Sequence, residues 1–352
     1  MGVFYSSCIE DDNCLWLLAS DFSMLCKMDK DSRDISVFEI FTDTPFKARG
    51  SYGLIKKIRN YIYAFPHTGN DILKINIESH AVYRIPITFN EKYIDLFGKV
   101  MSCYVSDEYI YCVGGRIPLV IKLNIGDDNY EIIEIDTSKF FWKTGCLSNN
   151  KIYLPFSPLD NSDSKMMLVD LTNKSYSVIK IDGWNYDIGI VNSVDKNKLF
   201  VWSRDASRSA LIDINKMKVN NVFEIKNSLN QDFFYPSCIE QNGIYWFFPK
   251  KGRLILGLKY TDDKKNIKDV IYINSDYQYL HMGIWDKNHL FGISENCGEI
   301  VILETNNRSL ESIKMRFPKG MKDLFEKKLN FKSVIIEQKR TLDLDIFIGM
   351  IS

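Results

Sequence analysis

The chain has 352 residues, 45% of them hydrophobic and 13% aromatic, so it is long and apolar enough to bury a large core. Lys and Arg together number 45, as do Asp and Glu, which gives a formal net charge of zero. A neutral chain has no overall electrostatic attraction for nucleic acid or for an anionic membrane, and we expect neither as a partner.

The chain opens without the charged-then-apolar pattern of a secretory leader, and no run approaches the roughly 18 apolar residues of a membrane span. We therefore expect a cytoplasmic protein with no membrane span.

A short pattern recurs seven times: a polar turn, usually containing Asn, is followed by an apolar residue and then an aromatic one. Successive copies are separated by about 42 to 48 residues, which matches four-stranded propeller blades and exceeds the period of ankyrin or leucine-rich repeats. The seven pairs are Leu15-Trp16, Ile62-Tyr63, Ile110-Tyr111, Ile152-Tyr153, Leu199-Phe200, Ile244-Tyr245 and Leu290-Phe291.

Each period contains four strand signals in the same order. In the second period they are residues 51–58, 61–65, 71–77 and 81–87, separated by short runs of turn-forming residues. Strands of about five to seven residues at such regular spacing indicate an all-β fold.

Seven four-stranded units of this kind cannot each bury both faces alone, which predicts a seven-bladed β-propeller of antiparallel blades. The first and last blades are expected to pack against each other without a strand taken from the tail. The propeller is predicted to span residues 1–315, with blades at approximately 1–41, 50–88, 99–136, 144–182, 188–226, 235–274 and 281–315.

The repeat pattern ends at Met315, and residues 316–352 are predicted to form a partly helical C-terminal extension. Thr341 is a candidate helix cap, followed by two Asp residues in the first turn, where the helix dipole favours them. The apolar segment that runs from Leu342 to Ile351 either covers an edge of the propeller or docks onto a partner protein.

Eight cysteines raise the question of a metal site or disulfides, but their positions favour neither. Cys8, Cys103, Cys146 and Cys238 occupy the same position on the first strand of four different repeats, where a small apolar side chain fits a crowded interior. No Cys-x-x-Cys pair supplies zinc spacing. We predict buried thiols, no metal and no cofactor.

The order of polar turn, Ile-Tyr strand, third strand ending near Asp or Asn, and last apolar strand resembles the kelch repeat and its divergent bacterial relatives over residues 3–315. The kelch double glycine is present only as Gly114-Gly115; other repeats carry pairs such as Phe65-Pro66 and Phe248-Pro249. The resemblance implies a propeller architecture. It does not select a function, because kelch-like propellers include both protein adaptors and sugar-processing enzymes.

The loops after the second strands and the loops between blades are expected at one end of the blades. Aromatic residues and Arg in such positions are typical of recognition hot spots, although aromatics can also wedge between neighbouring blades. The candidate ligand-binding or partner-binding residues are Arg49, His67, Arg116, Trp142, Trp184, Tyr186, Arg204, Tyr235, Lys250, Arg253, His281 and Glu295.

Two classes of function fit these residues. The favoured class is a non-catalytic recognition or scaffold propeller that binds a protein, a peptide or a small polar ligand. The alternative is a lyase, isomerase or hydrolase acting on a carbohydrate or small anionic metabolite at the central channel mouth. An enzyme should show converging ionisable groups with shifted pKa values in a deep pocket, and a binding module a broad aromatic surface.

Overall fold

The structure, a computed structural model, describes residues 5–19, 23–41, 50–115, 117–135, 140–142 (backbone only), 145–158, 165–203, 207–225, 235, 237–261, 267–294 and 299–315. Within these residues the chain forms seven antiparallel sheets, and the only helical element is a 3₁₀ turn at Glu91–Tyr93. Each sheet carries one recurrent apolar-aromatic pair near the start of its second long strand.

Two sheets lie in the first of two compact units into which the chain divides. In both, neighbouring strands in the sheet are consecutive in the chain. Their strands are β1 (Tyr5–Glu10), β2 (Cys14–Ala19), β3 (Met24–Asp29) and β4 (Ile35–Ile40), then β5 (Tyr52–Ile58), β6 (Tyr61–Pro66), β7 (Asp71–Asn76) and β8 (Val82–Pro86).

The next four sheets lie in the second unit. A seventh sheet follows them in the chain, and its neighbouring strands are consecutive in the chain, as in the first two sheets. Their strands are β9 (Ser102–Val105), β10 (Tyr109–Val113), β11 (Leu119–Asn124), β12 (Tyr130–Glu134); β13 (Phe140–Trp142), β14 (Cys146–Ser148), β15 (Lys151–Pro158), β16 (Lys165–Asp170), β17 (Ser175–Lys180); β18 (Ile188–Asp195), β19 (Lys198–Ser203), β20 (Arg208–Asp213), β21 (Lys218–Glu224); β22 (Ile239–Gln241), β23 (Ile244–Phe247), β24 (Leu254–Tyr260), β25 (Ile267–Asn274); β26 (Tyr279–Ile284), β27 (His289–Ser294), β28 (Glu299–Glu304) and β29 (Ser309–Lys314).

The fourth sheet has one strand more than the sequence predicted. β15 is long enough to pair with β14 through its first residues and with β13 through its last, where Trp142 is the partner of Phe156. The backbone of Trp142 is therefore in a strand, although the sequence placed it in a loop between blades.

The core is centred on the second and third strands of each sheet. All six residues of β2 are buried, as are five of six in β6, β19 and β27. An uninterrupted apolar run bounded by polar turns is the pattern of a strand buried on both faces. The fourth strands are much more exposed, which places them at the outer edges.

The turn after the third strand has one construction in five sheets. A side-chain oxygen of the last strand residue accepts hydrogen bonds of 2.7 to 3.4 Å from the backbone N–H groups two and three residues later. Only Asp and Asn have a side chain short enough to make this turn well. The residues are Asp29, Asn76, Asn124, Asp170 and Asp213.

The turn after the third strand is hydrogen-bonded to the recurrent polar turn that precedes the second strand. In six sheets a backbone carbonyl of the recurrent turn accepts a hydrogen bond of 2.8 to 3.0 Å from the N–H of the residue that follows the third strand, as in Ile77 to Asn60. We call this contact the turn bridge. The other donor and acceptor pairs are Lys30 to Asn13, Ile125 to Glu108, Leu171 to Asn150, Ile214 to Asn197 and Thr305 to Asn288.

Neighbouring sheets of the first unit are joined by apolar packing and by a partly buried ion pair near one end. Trp16 and Leu18 pack with Ile62 and Ala64 in one core cluster. Asp11 accepts a hydrogen bond from Lys57 Nζ at 2.6 Å, and both side chains are about a quarter exposed.

Neighbouring sheets of the second unit are joined in the same way, with polar contacts at the edges of the apolar clusters. The Tyr104 hydroxyl accepts from the backbone N–H of Gly145 at 3.1 Å. Tyr260 bonds to Ser209 at 3.1 Å in the interior, and the Gln241 side chain donates to the carbonyl of Asp286 at 2.6 Å.

This arrangement confirms the prediction of an all-β fold with seven four-stranded antiparallel blades. The four strand signals of the second repeat correspond to β5, β6, β7 and β8. The C-terminal extension predicted for residues 316–352, with its helix after Thr341, lies outside the described residues. The blade boundaries stay a prediction.

The side chain of Asn76 provides a test of the turn after the third strand. Replacing it with Ala removes the acceptor for two backbone N–H groups, and we expect a loss of about 1 kcal/mol in the free energy of unfolding. Asn76→Asp is the matched control, because Asp serves at the same position in three other sheets. Chemical denaturation measures the free energy of unfolding of both variants. Equal losses for Asn76→Ala and Asn76→Asp would contradict the role assigned to the Asn76 side chain.

The ion pair of Asp11 provides a pH test. Burial favours the neutral carboxyl, but hydrogen bonds from Lys57 and Trp16 outweigh it and lower the pKa of Asp11. A lowered folded pKa stabilises the protein above the unfolded value of about 3.9, and this contribution is lost as the pH falls through the folded pKa.

Asp11→Asn should therefore reduce the free energy of unfolding at pH 7 by about 1 kcal/mol or less, given the partial exposure of the pair. The difference from the unmodified protein should disappear in denaturation series taken well below pH 4. Asp12→Asn is the control, because the exposed Asp12 makes its contacts to Asp11 and Lys30 through its backbone N–H and carbonyl, which the substitution leaves in place. A similar loss for Asp12→Asn would mean that the Asp11 pair is not the cause.

Candidate functional site

The structure describes the side chains of seven of the predicted site residues. Arg49, Arg116, Arg204 and Glu295 lie outside the described residues, and only the backbone of Trp142 is described. The seven that can be placed are His67, Trp184, Tyr186, Tyr235, Lys250, Arg253 and His281.

Within each blade these residues lie toward the end opposite the turn bridge, as expected from the hairpin order. His67 directly follows β6, and Lys250 and Arg253 lie between β23 and β24. Trp184 and Tyr186 lie between β17 and β18. The loops at this end differ from blade to blade in length and sequence, whereas the turns at the bridged end repeat.

Three side chains in the second unit form a compact stack. The ring of Trp184 meets the ring of Tyr186 edge-on, with centroids 5.4 Å apart and planes at 81°. The guanidinium carbon of Arg208 lies 4.3 Å from the centre of the Tyr186 ring, in cation–π contact. We call Trp184, Tyr186 and Arg208 the aromatic-arginine stack.

Arg208 is held from several sides. Its backbone N–H donates to Ser203 Oγ at 2.9 Å, and Nη1 donates to Ser207 Oγ at 3.2 Å. Nε pairs with Glu224 Oε1 at 3.3 Å, on a carboxylate that is 66% exposed. The Arg208 side chain is itself 33% exposed, so it is accessible while its position is fixed.

Arg208 is not among the twelve candidate residues, although the sequence places it with the basic residues of the loops after the second strands. Tyr186 precedes β18 and Arg208 begins β20, and no local spacing pattern relates the two residues. They meet because β18 pairs with β19 and β19 pairs with β20 in one sheet. The sequence feature that could have indicated Arg208 is its place at the start of a third strand, after a second strand that ends in Ser.

Trp184 and Tyr235 are interior residues, with 1% and 2% of their surface exposed. The Tyr235 hydroxyl donates to the carbonyl of Leu254 at 2.7 Å, which explains how its polar end is satisfied inside the core. Trp184 belongs to the apolar cluster between the fourth and fifth blades. It supports Tyr186 from inside, and only the outer members of the stack reach the surface.

The remaining predicted residues are spread over other loops. His67 is half-buried beside Gly53, and its backbone N–H donates to Ser51 at 2.7 Å. Arg253 forms a loose pair with Asp276 at 3.7 Å, and both are largely exposed. Lys250 is half-exposed in the same loop, and His281 is half-buried in β26.

The Gly114-Gly115 pair is explained by packing. A Cβ atom on Gly114 would lie 2.1 Å from the carbonyl oxygen of Ile117, and one on Gly115 would lie 2.1 Å from the Met101 side chain. Both N–H groups are already bonded to backbone carbonyls, those of Leu119 and Gly98. The glycines therefore permit close backbone approach and do not offer donors to an anion.

Burial is the main cause of the raised pKa values of the cysteines and tyrosines. Burial raises the pKa of the Cys146 thiol to about 12 and the pKa of the Tyr153 hydroxyl to about 12. It also raises the pKa of Cys8 and Cys238. By surface area, Cys8, Cys146 and Cys238 are half-buried.

The described part of the chain contains neither a metal-binding cluster nor a membrane-spanning helix. No group of three or more His, Cys, Asp or Glu side chains is placed to hold a metal ion there. No helix in that part is long and apolar enough to cross a membrane.

No protein-family model matches the chain, and no curated protein matches it. Solved structures do match. Selenomethionine-substituted virginiamycin B lyase from Staphylococcus aureus is 13% identical, with a TM-score of 0.59 over 79% of this chain and 86% of the lyase. The β-propeller domain of Cps50 (Swd1) from Myceliophteria thermophila is 10% identical, with a TM-score of 0.58 over 76% of this chain and 87% of that domain. U3-55K is 11% identical, with a TM-score of 0.60 over 84% and 89%.

The fold is a seven-bladed β-propeller. These matches, at 10 to 13% identity, show the fold alone. The matched structures are other propellers and do not extend the resemblance to kelch repeats. One of them is a lyase by name, so the fold is compatible with both classes of function considered from the sequence.

The buried thiols provide a prediction about reactivity. The thiolate is the reactive form, and raising the pKa of Cys146 from 9.0 to about 12 lowers its thiolate population about a thousandfold near pH 8. Cys146 should therefore react with a disulfide reagent at least about a hundredfold more slowly in the native protein than in the denatured protein. Peptide mass spectrometry after timed quenching measures this, and rapid native labelling of Cys146 would contradict it.

Proposed function

We propose that the protein is a non-catalytic recognition propeller, distantly related to the kelch class, that binds an acidic segment of a protein or peptide. The binding surface is formed by the loops opposite the turn bridges. Its described part is the aromatic-arginine stack, with Tyr186 and Arg208 at the surface. A cytoplasmic location, expected from the sequence, is part of the same proposal.

The observation that carries this proposal is the fixed position of Arg208. An exposed Arg normally loses side-chain freedom when it binds, which costs affinity. Here the guanidinium is already held on the Tyr186 ring and by the hydroxyl of Ser207. The Arg208 side chain has therefore already lost much of its freedom in the free protein. Binding at this point loses less entropy, which favours affinity.

The chemistry of the stack favours a carboxylate from a partner. Glu224 contacts Arg208 through Nε at 3.3 Å, and the donors at the far end of the guanidinium suit a planar, bidentate acceptor. Glu224 is 66% exposed, so it is screened by water and readily moves aside. Tyr186 adds an aromatic surface for the apolar part of the same segment.

The catalytic alternative has less support within the described residues. The resolved pKa shifts of cysteines and tyrosines come mainly from burial in the core, as for Cys146 and Tyr153. Lys99 also has a lowered pKa because of burial, but its side chain has no solvent-exposed surface through which a substrate would reach it. The likeness to a lyase is a likeness of fold.

The proposal is tested by selecting peptides from a random displayed library on the native protein. We expect enrichment of peptides that contain Asp or Glu next to an apolar residue. Arg208→Ala and Tyr186→Ala should each weaken the selected peptides at least about tenfold, or about 1.4 kcal/mol, as measured by calorimetry.

Lys196→Ala is the matched control, because it removes the same charge from an exposed residue in the turn between β18 and β19, at the bridged end of the same blade. This variant should bind the peptides normally. Failure to enrich acidic peptides, or equal binding by Arg208→Ala and the unmodified protein, would refute the proposal. Thermal melting of each variant verifies that the propeller is intact.

A further inference from the structure

Two cysteines of the third blade lie opposite each other on neighbouring strands. Cys103 on β9 is the register partner of Cys112 on β10. Directly paired residues of an antiparallel sheet have their side chains on the same face. The two side chains are hydrogen-bonded to each other, and both cysteines are thiols. No other pairing of the described strands brings two cysteines opposite each other.

The spacing of this pair suits a disulfide. The backbone N–H of Ser106 donates to the carbonyl of Tyr109 at 2.9 Å, which marks these two residues as a hydrogen-bonded pair. Such pairs alternate with non-hydrogen-bonded ones, so Cys103 and Cys112, three positions further along, form a non-hydrogen-bonded pair. The Cα atoms of such a pair are about 4.5 Å apart, within the range of about 4.4 to 6.8 Å that a disulfide spans. The bond can therefore close without separating the strands.

The surroundings of the pair penalise a charged thiolate but not a disulfide. Burial, followed by the contact with Cys103, raises the pKa of Cys112 well above its usual value. A disulfide carries no charge, so the apolar interior that disfavours the thiolate tolerates it. Cys112 has no exposed surface, whereas Cys103 is 8% exposed. Cys103 is therefore the sulfur that a small oxidant reaches first, and Cys112 lies beside it to complete the bond.

We propose that Cys103 and Cys112 are a site of reversible oxidation, at which a peroxide converts the two thiols to one intramolecular disulfide. The Cys103 sulfur loses its proton and attacks a peroxide oxygen. The O–O bond breaks, one water leaves, and a sulfenic acid forms on Cys103. The Cys112 sulfur then attacks the Cys103 sulfur, the S–O bond breaks and a second water leaves. A dithiol reverses the reaction by thiol–disulfide exchange.

The disulfide would attach a short strand at the end of its sheet. Within the described residues, the four residues of β9 pair with β10 alone. Just beyond the cysteine pair, at the end of the blade opposite the turn bridge, the N–H of Gly115 donates to the carbonyl of Gly98 at 2.9 Å. A covalent bond through Cys103 prevents β9 from separating from β10 and fixes the base of these two loops.

The test treats the reduced, native, full-length protein with hydrogen peroxide, alkylates the remaining thiols in denaturant and digests the product with trypsin. Both cysteines fall in one tryptic peptide, residues 100–116, because no Lys or Arg lies between Lys99 and Arg116. We expect this peptide to lose two hydrogens and to carry no alkyl group. Dithiothreitol added before alkylation should restore both thiols. In the oxidised protein, hydrogen exchange at the amides of residues 102–105 should be slower than in the reduced protein.

Cys146→Ser is the matched control, because Cys146 has the equivalent position on the first strand of the fourth blade but lies opposite Tyr153. This variant should form the disulfide as the unmodified protein does. Cys112→Ser should not form it. Cys112→Ser combined with Val113→Cys keeps the number of thiols but moves one to the other face of β10, and it should not form the disulfide either. Thermal melting verifies that each variant is folded.

Three results would overturn the proposal. The first is full alkylation of Cys103 and Cys112 in the native protein under peroxide conditions that oxidise them in the denatured protein. The second is a sulfinic acid on Cys103 without a disulfide, which would show that Cys112 does not complete the bond. The third is a disulfide of Cys103 with another cysteine, or with the thiol introduced by Val113→Cys, as readily as with Cys112. That result would mean that the register of the two strands does not direct the reaction.

Discussion

The turn bridge is the repeated contact that holds the two inner strands of a blade together at one end. A single backbone hydrogen bond joins the turn before the second strand to the turn after the third, in six of the sheets described. It fixes the two inner strands against each other, and these are the strands that bury the core. The bridge joins fixed positions in the two turns, so it helps to specify the register of these strands. At the opposite ends, the residue after the fourth strand donates a backbone hydrogen bond to the residue before the third strand in five blades, and the loops around this contact differ in length and sequence.

The recurrent features of the fold could be read from the sequence because they rest on local chemistry. Asn is frequent in the recurrent turn because it tolerates the left-handed conformation seen at Asn149, Asn150 and Asn242, with φ from 50° to 55°. Asp or Asn ends the third strand because its side chain accepts from the following N–H groups. Each requirement limits the residue type at a fixed position, and seven repetitions make the pattern visible.

The candidate site was less predictable because it depends on contacts between segments that are distant in sequence. Trp184 and Tyr235 have the residue types of a binding surface, but the sequence does not show which aromatic faces the interior. Arg208 reaches Tyr186 only through the pairing of three strands.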